Sequence, residues 1–494
     1  MLGRSVKYHR PRGAVCFGGR CDGCLMRVDG LPNVMTCHEA AHEGAVVETQ
    51  NVLGSAENDL LSLTDWFFSE GMDHHHMFTR FSPINRVMRK VARRIAGVGT
   101  LPDAPVAPVA PREAEVDVLV IGGGASGVIA ANAAAKRGAR TMLVEERRLG
   151  GEAALRGEAL PPLGPPVELR EHTVALGIWR EVGAGFAGRE QSEPVRWVLL
   201  GDGEGLIRVR ANALVIATGA EEGALPVAGN DRPGIVTALG ALRLLDHGVL
   251  VGERLAFVGD EEALHVARAR LVAAGAVEVG SFGADEVDAI GGRPAVAWLK
   301  ARGERVSCDA VVTGSAPSAV YALAGQAGAE VRFDGRGFLV VADDEGRTHD
   351  VTTFAIGRCT GRAGDRSRVQ AEAAGRLAAR PDGARSGETS RGMQPTERFT
   401  VPKADKLLAC RCEDVTAKEL AQAVSRGHGD LEGAKRYTGF GTGWCQGKQC
   451  VALCARLLAG MGGEAATEPI TPRPPVHPIA LAELALLVDE EEPR

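Results

Sequence analysis

The sequence lacks several features that would assign it to a specialised class of protein. Its first residues do not follow the basic, apolar, small-residue order of a signal peptide, and no apolar run approaches the roughly 20 residues that cross a bilayer. The net charge of −6 gives no reason to expect nucleic acid or an anionic membrane as a partner. No internal repeat of about 20 to 50 residues is visible. We therefore expect a soluble, cytoplasmic protein, which would reach the inner membrane only peripherally, through a complex.

What the sequence does contain is clustered cysteine. The chain has 494 residues, enough for roughly three or four domains, and 11 cysteines. Eight of these fall into two sets of four near opposite ends of the chain. In a reducing compartment such clusters are more often metal or iron–sulfur ligands than disulfides. Proline-rich and polar stretches at 101–115 and 380–404 predict linkers that separate these sets from the middle of the chain.

The middle of the chain begins with a dinucleotide-binding fingerprint, VDVLVIGGGASGVIAANAAAKRGARTMLVEE. An apolar strand precedes the glycines, an alanine-rich helix follows them, and a second strand ends at Glu145. Gly122 permits the tight turn, Gly124 lets the backbone approach a pyrophosphate, and Gly127 lets the helix pack on the strand. Glu145 is placed to accept hydrogen bonds from ribose hydroxyls.

Two later segments resemble further signatures of flavoproteins that have two dinucleotide-binding domains. The segment ALVIATGA resembles a turn that lies near FAD, and FAIGRCTG stands where that family usually has A-x-G-D, with Arg358 in place of the aspartate. The residues expected to contact the cofactor are Gly122, Gly124, Ala125, Ser126, Gly127, Glu145, Glu146, Ala217, Thr218, Gly219, Gly357 and Arg358. FAD is the expected cofactor, and Arg358 is the departure that puts it in question.

A second strand–turn–helix unit follows, at about 250–345. Its turn reads Gly259-Asp260-Glu261-Glu262, so carboxylates stand where the fingerprint would offer glycines to a phosphate. Like charges in a poorly solvated pocket repel a pyrophosphate. We therefore expect a scaffold unit that does not bind NAD(P).

The N-terminal cysteine set is spaced C-x4-C-x2-C-x12-C on a glycine-rich loop, which is the spacing of a plant-type [2Fe–2S] cluster. Its members are Cys16, Cys21, Cys24 and Cys37. Four thiolates also satisfy tetrahedral zinc, which is the competing interpretation. A ferredoxin of this type has a hairpin and a helix before the loop, whereas only 15 residues precede Cys16. The domain is therefore expected to be a truncated one.

The C-terminal set is spaced C-x-C-x32-C-x4-C, and folding must bring its two pairs together. Its members are Cys410, Cys412, Cys445 and Cys450. The set, with the Lys435, Arg436, Thr438 and Gly439 run before its second pair, resembles the [2Fe–2S] domain of bacterioferritin-associated ferredoxin.

The remaining histidine and cysteine candidates have weaker support as metal ligands. Consecutive histidines point in different directions, so His74, His75 and His76 are expected to have a structural or partner-contact role. Cys308, Cys359 and Cys454 have no companions at ligand spacing and are interpreted as buried small side chains. No catalytic Ser-His-Asp or paired-carboxylate constellation is visible.

Nearly the whole chain resembles the α subunits of hydrogen cyanide synthase, opine oxidase and heterotetrameric sarcosine oxidase. The resemblance lies in the KYHRPRG lead-in, the two cysteine sets, the DWFFSEGMDHHHM segment, the fingerprint and the TPRPPVHPIALAELA tail. It implies an α/β fold with two dinucleotide-binding domains, flanked by two iron–sulfur domains. The implied divisions are a ferredoxin-like domain at 1–100, a linker at 101–115, the double Rossmann domain at 116–379, a linker at 380–404, a helical domain at 405–462 and a strap at 463–494.

The resemblance also implies what the chain does. Its partner would be a β subunit like D-amino-acid oxidase that oxidises an amine, while this chain relays electrons through FAD and two [2Fe–2S] clusters to an external acceptor. It leaves room for an FMN at the subunit interface. Two alternatives remain open: a free-standing NAD(P)H-dependent reductase, and a zinc-binding scaffold without redox function.

Overall fold

The computed structural model describes residues 3–68, 108–180, 196–380, 407–464, 466 and 468–487. The chain forms two compact units, each assembled from separate stretches of sequence. The cysteine unit takes its described residues from 1–104, 222–317 and 395–466, and the fingerprint unit takes its own from 105–221, 318–394 and 467–494. Neither unit therefore corresponds to a single one of the consecutive domains expected from the sequence, because the stretches that form the two units alternate along the chain.

The fingerprint unit is built on a seven-stranded mixed sheet. Its central strands, Arg112–Ile121 and Gly205–Ile216, are parallel in register from Ile207 opposite Arg112 to Ile216 opposite Ile121. Outside them lie Thr141–Val144 and Val167–Arg170 on one side, and Arg196–Asp202 and Val174–Arg180 on the other, while Thr353–Ala355 pairs with the end of Gly205–Ile216. The unit also contains strands Val331–Phe333 and Phe338–Val340 and helices Ala125–Ala135, Gly151–Leu155, Ala322–Gln326, Gly364–Ala378 and Leu481–Ala485. The residues buried at the centre of this sheet are apolar, as expected where helices cover a parallel sheet.

Two helices pack together over this sheet. Ala125–Ala135 is rich in alanine, and Gly364–Ala378 turns Ala371, Ala374 and Gly375 toward it. A Cβ added at Gly375 would lie 2.2 Å from the carbonyl oxygen of Ala130, so the approach of the two helices requires glycine there. Small residues on both helices therefore allow Gly364–Ala378 to pack closely against Ala125–Ala135.

The cysteine unit contains a four-stranded parallel sheet with the spatial order Ile235–Thr237, Ala310–Gly314, Arg254–Gly259 and Val277–Phe282. Its other strands are Gly3–Arg4, Pro11–Arg12, Leu25–Val28, Leu31–Met35, Val47–Glu48, Val287–Gly291, Trp298–Ala301, Glu304–Ser307, Leu408–Cys410 and Val415–Thr416. Its helices are Leu63–Phe67, Ala238–Asp246, Glu262–Ala273, Ala417–Ser425, Leu431–Thr438 and Val451–Gly460. Strands Ala220–Glu222 and Pro317–Ala319, where the chain passes between units, pair with each other.

The α/β class expected from the sequence is confirmed, and some boundaries differ. The first strand of the fingerprint begins at Arg112, inside the predicted linker 101–115, because its early residues pair with the long strand Gly205–Ile216. The second strand–turn–helix unit ends near Pro317 rather than 345, because the chain then returns to the fingerprint unit. Among the described helices, none is both long and apolar enough to span a membrane.

Candidate functional site

Of the four glycines in the fingerprint turn, Gly122 and Gly127 are required by the backbone packing and Gly124 faces open space. Gly122 has φ 110°, and a Cβ there would lie 2.3 Å from the carbonyl oxygen of Ala217. A Cβ on Gly127 would lie 1.8 Å from the carbonyl oxygen of Gly122. A Cβ on Gly124 would meet nothing within 4 Å. Gly124 therefore borders the space that the motif reserves for a phosphate group.

The helix that starts at this turn presents its first amides to the same space. Gly124 is the N-cap of Ala125–Ala135, and no side chain caps this helix. The first amides of an α-helix have no partner within the helix, and its dipole favours an anion at that end. Ala125 and Ser126 supply two of these amides, so the arrangement fits the pyrophosphate of a dinucleotide.

Glu145, which follows strand Thr141–Val144, is hydrogen-bonded to the fingerprint turn. Glu145 is buried, and its carboxylate accepts from the amide of Gly123 at 2.7 Å and from the amide of Arg147 at 3.1 Å. Glu145 therefore stands at the position from which this motif contacts a ribose. The next residue, Glu146, is half-buried.

The two later signatures lie in the same unit. The amide of Ala217 donates to Ile121 at 2.8 Å, the hydroxyl of Thr218 donates to Val320 at 2.8 Å, and a Cβ on Gly219 would meet nothing within 4 Å. A Cβ on Gly357 would lie 2.7 Å from Ser126 Oγ. The third signature therefore reaches the first turn of the fingerprint helix.

Arg358 has a protein partner that sequence spacing did not suggest. Its Nη1 lies 2.9 Å from Glu152 Oε1, and both side chains are mostly buried. Glu152 belongs to the short helix Gly151–Leu155, about 200 residues earlier in the chain, and no motif connects the two positions. The departure from A-x-G-D is thus accompanied by a carboxylate that neutralises the arginine.

The N-terminal cysteines come together on a loop rich in amide donors. Cys16 Sγ donates to Cys21 Sγ at 3.4 Å and accepts from the amides of Gly18 and Arg20 at 3.4 and 3.2 Å. The amide of Gly19 donates to Cys37 Sγ at 3.3 Å. Amides aimed at sulfur are the environment that iron–sulfur clusters use.

The second pair of this set is also in contact. A hydrogen bond to Cys37, together with burial, raises the pKa of Cys24. Four crowded thiols cannot all ionise unless a cation compensates their charge. The four thiols are therefore candidate ligands of a cationic metal centre.

The cysteine loop rests on the second strand–turn–helix unit. The amide of Thr237 donates to the carbonyl of Val15 at 3.0 Å, and Arg243 Nη1 donates to the carbonyl of Cys16 at 2.7 Å. A Cβ on Gly240 would lie 2.5 Å from the same carbonyl of Val15. The N-terminal cysteine loop is therefore supported by residues that lie far from it in the sequence.

The turn predicted not to bind NAD(P) follows strand Arg254–Gly259 of the four-stranded parallel sheet. Gly259 makes the sharp turn with φ 122°, Glu261 is the N-cap of helix Glu262–Ala273, and the Asp260 side chain is 94% exposed. Asp260 lies 3.1 Å from His265 of the same helix. The carboxylates therefore occupy the helix start, where a phosphate would bind, and the absence of NAD(P) stays a prediction.

The C-terminal cysteines form a buried ring of four thiols. Hydrogen bonds from Cys412 and Cys450 lower the pKa of Cys410 and of Cys445. Each thiol thus contacts two others, and the four are no more than 6% exposed. The two pairs, 33 residues apart in sequence, are joined because Cys410 ends a strand while Cys450 caps helix Val451–Gly460.

A ninth cysteine borders this ring. Cys454 lies one helical turn after Cys450, is fully buried, and hydrogen-bonds to Cys450 through its side chain. Its expected burial is confirmed, but the i, i+4 spacing from Cys450 was the signal that it has a companion. Among the described residues, no group of three or more His, Cys, Asp or Glu side chains is placed to hold a metal ion. The histidines at 74–76 lie outside the described residues.

Both cysteine sets belong to one compact unit, and the KYHRPRG segment ties them together. Arg12 is buried, bonds Asp231 Oδ2 at 2.7 Å and pairs closely with Asp414, two residues after Cys412. The amides of Lys7 and Tyr8 donate to the other oxygen of Asp414 at 2.9 and 3.1 Å. Sequence reasoning noted this segment only as part of a resemblance.

Three family models match separate parts of the chain. They are a 2Fe-2S iron-sulfur cluster binding domain at residues 1–52, an FAD dependent oxidoreductase at 117–224 and a sarcosine oxidase A3 domain at 406–486. The first of these favours iron–sulfur over zinc for the N-terminal set. The second supports FAD for the fingerprint.

Curated relatives match along most of the chain. The α subunit of sarcosine oxidase from Rhizobium meliloti is 28% identical over 95% of this chain and 53% of its own length. The A subunit of opine oxidase from Agrobacterium tumefaciens is 25% identical over 75% of this chain and 92% of its own, and the HcnB subunit of hydrogen cyanide synthase from Pseudomonas protegens is 26% identical over 73% and 96%. The chain thus spans about half the length of the sarcosine oxidase relative.

A solved structure shares the fold. The L-proline dehydrogenase from P. horikoshii aligns with a TM-score of 0.73 and 20% identity, covering 99% of this chain and 91% of that chain. The match extends over all three matched regions and includes both compact units.

Proposed function

We propose that this chain relays electrons in a heteromeric amine or amino-acid dehydrogenase. The chain is an oxidoreductase subunit and belongs to the family of sarcosine oxidase α subunits, opine oxidase A subunits and hydrogen cyanide synthase HcnB subunits. A partner β subunit resembling D-amino-acid oxidase oxidises the C–N bond of the substrate. This chain passes the electrons toward an external acceptor. It works in the cytoplasm and reaches the inner membrane, if at all, through its complex.

The observation that carries this proposal is the placement of both cysteine sets in one compact unit. Eight buried or half-buried thiols belong to this unit, and the buried ion pair of Arg12 and Asp414 joins the segment before Cys16 to the segment after Cys412. Two separate structural metal sites would not need such a connection. Two electron carriers do need it, because electron transfer requires that they lie close together.

The ligand roles follow from this arrangement. Cys16, Cys21, Cys24 and Cys37 hold one [2Fe–2S] cluster, and Cys410, Cys412, Cys445 and Cys450 hold the other. The thiol ring and the three helices around it support the identification of the C-terminal domain as one like bacterioferritin-associated ferredoxin. Each cluster carries one electron at a time.

The fingerprint unit would hold FAD. Open space at Gly124, the uncapped start of helix Ala125–Ala135 and the position of Glu145 beside the turn fit its pyrophosphate and ribose. A bound flavin exchanges electrons in pairs or singly, which matches hydride chemistry to iron–sulfur chemistry. Arg358 is held by Glu152 beside this space, and the FMN expected at a subunit interface would be supplied with the partner.

The test is co-purification with the product of the neighbouring gene, followed by assays for iron, flavin and substrate-dependent reduction. We expect amines to bleach the flavin and generate the electron paramagnetic resonance signals of reduced clusters only in the complex. In Cys445→Ser, iron should fall by about half and electron transfer to a dye should stop. Cys308→Ser, another buried thiol of the same unit, is the matched control and should retain both.

Other outcomes would select the alternatives. Amine oxidation by the chain alone would overturn its assignment to a heteromeric enzyme. Rapid bleaching by NADH or NADPH would favour a free-standing reductase, against the carboxylates at Asp260 to Glu262. A colourless protein that contains zinc would favour the scaffold.

A further inference from the structure

The turn that carries the first two ligands of the C-terminal set ends at a buried aspartate, Asp414. Cys410 and Cys412 lie on this turn, and the amide of Asp414 closes it by donating to the carbonyl of Arg411 at 3.4 Å. Asp414 is fully buried and has φ 48°, a left-handed conformation that aspartate adopts more readily than most residues. The turn that places the two thiols therefore also places the carboxylate of Asp414.

The carboxylate of Asp414 holds the start of the chain. One of its oxygens accepts from the amides of Lys7 and Tyr8, at 2.9 and 3.1 Å, and the other pairs with the guanidinium of Arg12. Tyr8 and Arg12 are buried, so these bonds are shielded from water. Arg12 Nη2 also donates to the carbonyl of Arg411 at 3.4 Å. Three donors of the N-terminal segment are therefore bound by a carboxylate that belongs to the C-terminal ligand turn.

The segment held in this way leads directly into the N-terminal ligand loop. Gly13 follows Arg12, and a Cβ added at Gly23 would lie 2.1 Å from the carbonyl oxygen of Gly13. Gly23 stands between the ligand positions Cys21 and Cys24. The backbone next to Arg12 therefore packs against the stretch that carries two of the four N-terminal thiols. Because this contact joins backbone to backbone, a shift of the N-terminal segment would shift that stretch as well.

We propose that Asp414 is a positioning residue that couples the two cysteine sets. When Cys410 and Cys412 ligate a cluster, the turn that contains them becomes fixed, and Asp414 then holds the N-terminal segment in the shape that its own ligands require. Binding that orders the ligands contributes to the free energy of folding, and coupling between two binding sites is reciprocal. Each cluster therefore stabilises the other. This inference rests on the proposed function in that both sets must hold clusters.

The experiment measures how fast a chelator removes iron from the purified holoprotein, because a chelator reaches a cluster when its loop opens. Electron paramagnetic resonance after dithionite reduction follows the two clusters separately. In Cys445→Ser, which lacks the C-terminal cluster, the N-terminal cluster should be lost about tenfold faster, within the range of about 5- to 150-fold that coupled sites commonly show. In Asp414→Asn both clusters should form, and the N-terminal one should be lost faster by a similar factor. Asp430→Asn is the matched control, since asparagine can still cap helix Leu431–Thr438, and it should leave both rates unchanged.

A combined variant separates this coupling from a general loss of stability. If Asp414 carries the coupling, Cys445→Ser combined with Asp414→Asn should lose the N-terminal cluster no faster than Asp414→Asn alone, whereas effects that add would overturn the proposal.

The reciprocal variant keeps the test decisive if Asp414→Asn does not fold. In Cys24→Ser the C-terminal cluster should be lost faster than in the unsubstituted protein, and an unchanged rate would overturn the coupling. A purified chain without iron would overturn the proposed function and this inference with it. Iron that is present but lost at unchanged rates would overturn the inference alone.

Discussion

Arg12 donates to Asp231 at 2.7 Å, although the two residues are 219 positions apart and both are at most 2% exposed. Arg10 binds the same carboxylate at 2.7 and 3.0 Å. The pair joins the N-terminal strand Pro11–Arg12 to the loop before the parallel sheet of the cysteine unit. The folding of the N-terminal cysteine loop therefore depends on residues that lie far from it in sequence.

Breaking this pair should destabilise the cysteine unit. In Asp231→Asn the buried Arg12 and the half-buried Arg10 each lose one carboxylate partner while Asp414 and Asp65 remain, so the cost should stay below the about 3–5 kcal/mol typical of a buried charge left without any partner. We expect a lower thermal midpoint by circular dichroism and partial loss of iron. Arg302→Gln is the control, since its ion pair with Glu286 is exposed to solvent and contributes little to stability. Equal stability of the two variants would contradict the role of the Arg12–Asp231 pair.

The same pair predicts a pH dependence. Although burial acts to raise it, the guanidinium groups of Arg12 and Arg10 hold the pKa of Asp231 below its ordinary value. Its stabilisation is therefore fully present above the unfolded pKa of about 4 and is lost as pH falls through the lower, folded value. The difference in thermal midpoint between the unsubstituted chain and Asp231→Asn should be constant from pH 7 to 5, because Asp231 is ionised in both the folded and the unfolded chain over that range. A difference that shrinks within that range would show that another group dominates.

The fingerprint could be predicted from sequence because its strand, turn and helix are consecutive, so spacing alone specifies the geometry. The two cysteine sets could be named as candidate ligands from their spacing, although only folding brings the two C-terminal pairs together. The Glu152–Arg358 pair and the support of the cysteine loop by Thr237 and Arg243 could not, because they join segments with no shared periodicity. Burial of charge at Arg12 also leaves no sequence signal, since arginine is usually exposed.

Two glycines of the fingerprint should separate cofactor binding from folding. Gly124→Val places its side chain in open space at an extended N-cap, so the thermal midpoint should change little while flavin content falls sharply. Gly127→Ala forces a methyl group against the carbonyl of Gly122 and should cost about 1–3 kcal/mol as well as flavin. Flavin absorbance and thermal unfolding measure the two effects. Full flavin content in Gly124→Val would rule out this turn as the pyrophosphate site.

Cys450 and Cys454 should differ in their effect on the C-terminal set, although both are buried and they hydrogen-bond to each other. Cys450 also contacts Cys410 and Cys445, whereas Cys454 lies outside the ring and bonds weakly to the carbonyl of Ala409 at 3.9 Å. Cys450→Ser should therefore remove the signal of one cluster and about half of the iron, while Cys454→Ser should keep the iron content and change only the shape of the signal. Retention of both cluster signals in Cys450→Ser, or their loss in Cys454→Ser, would mean that the fourth ligand has been misassigned within this helix.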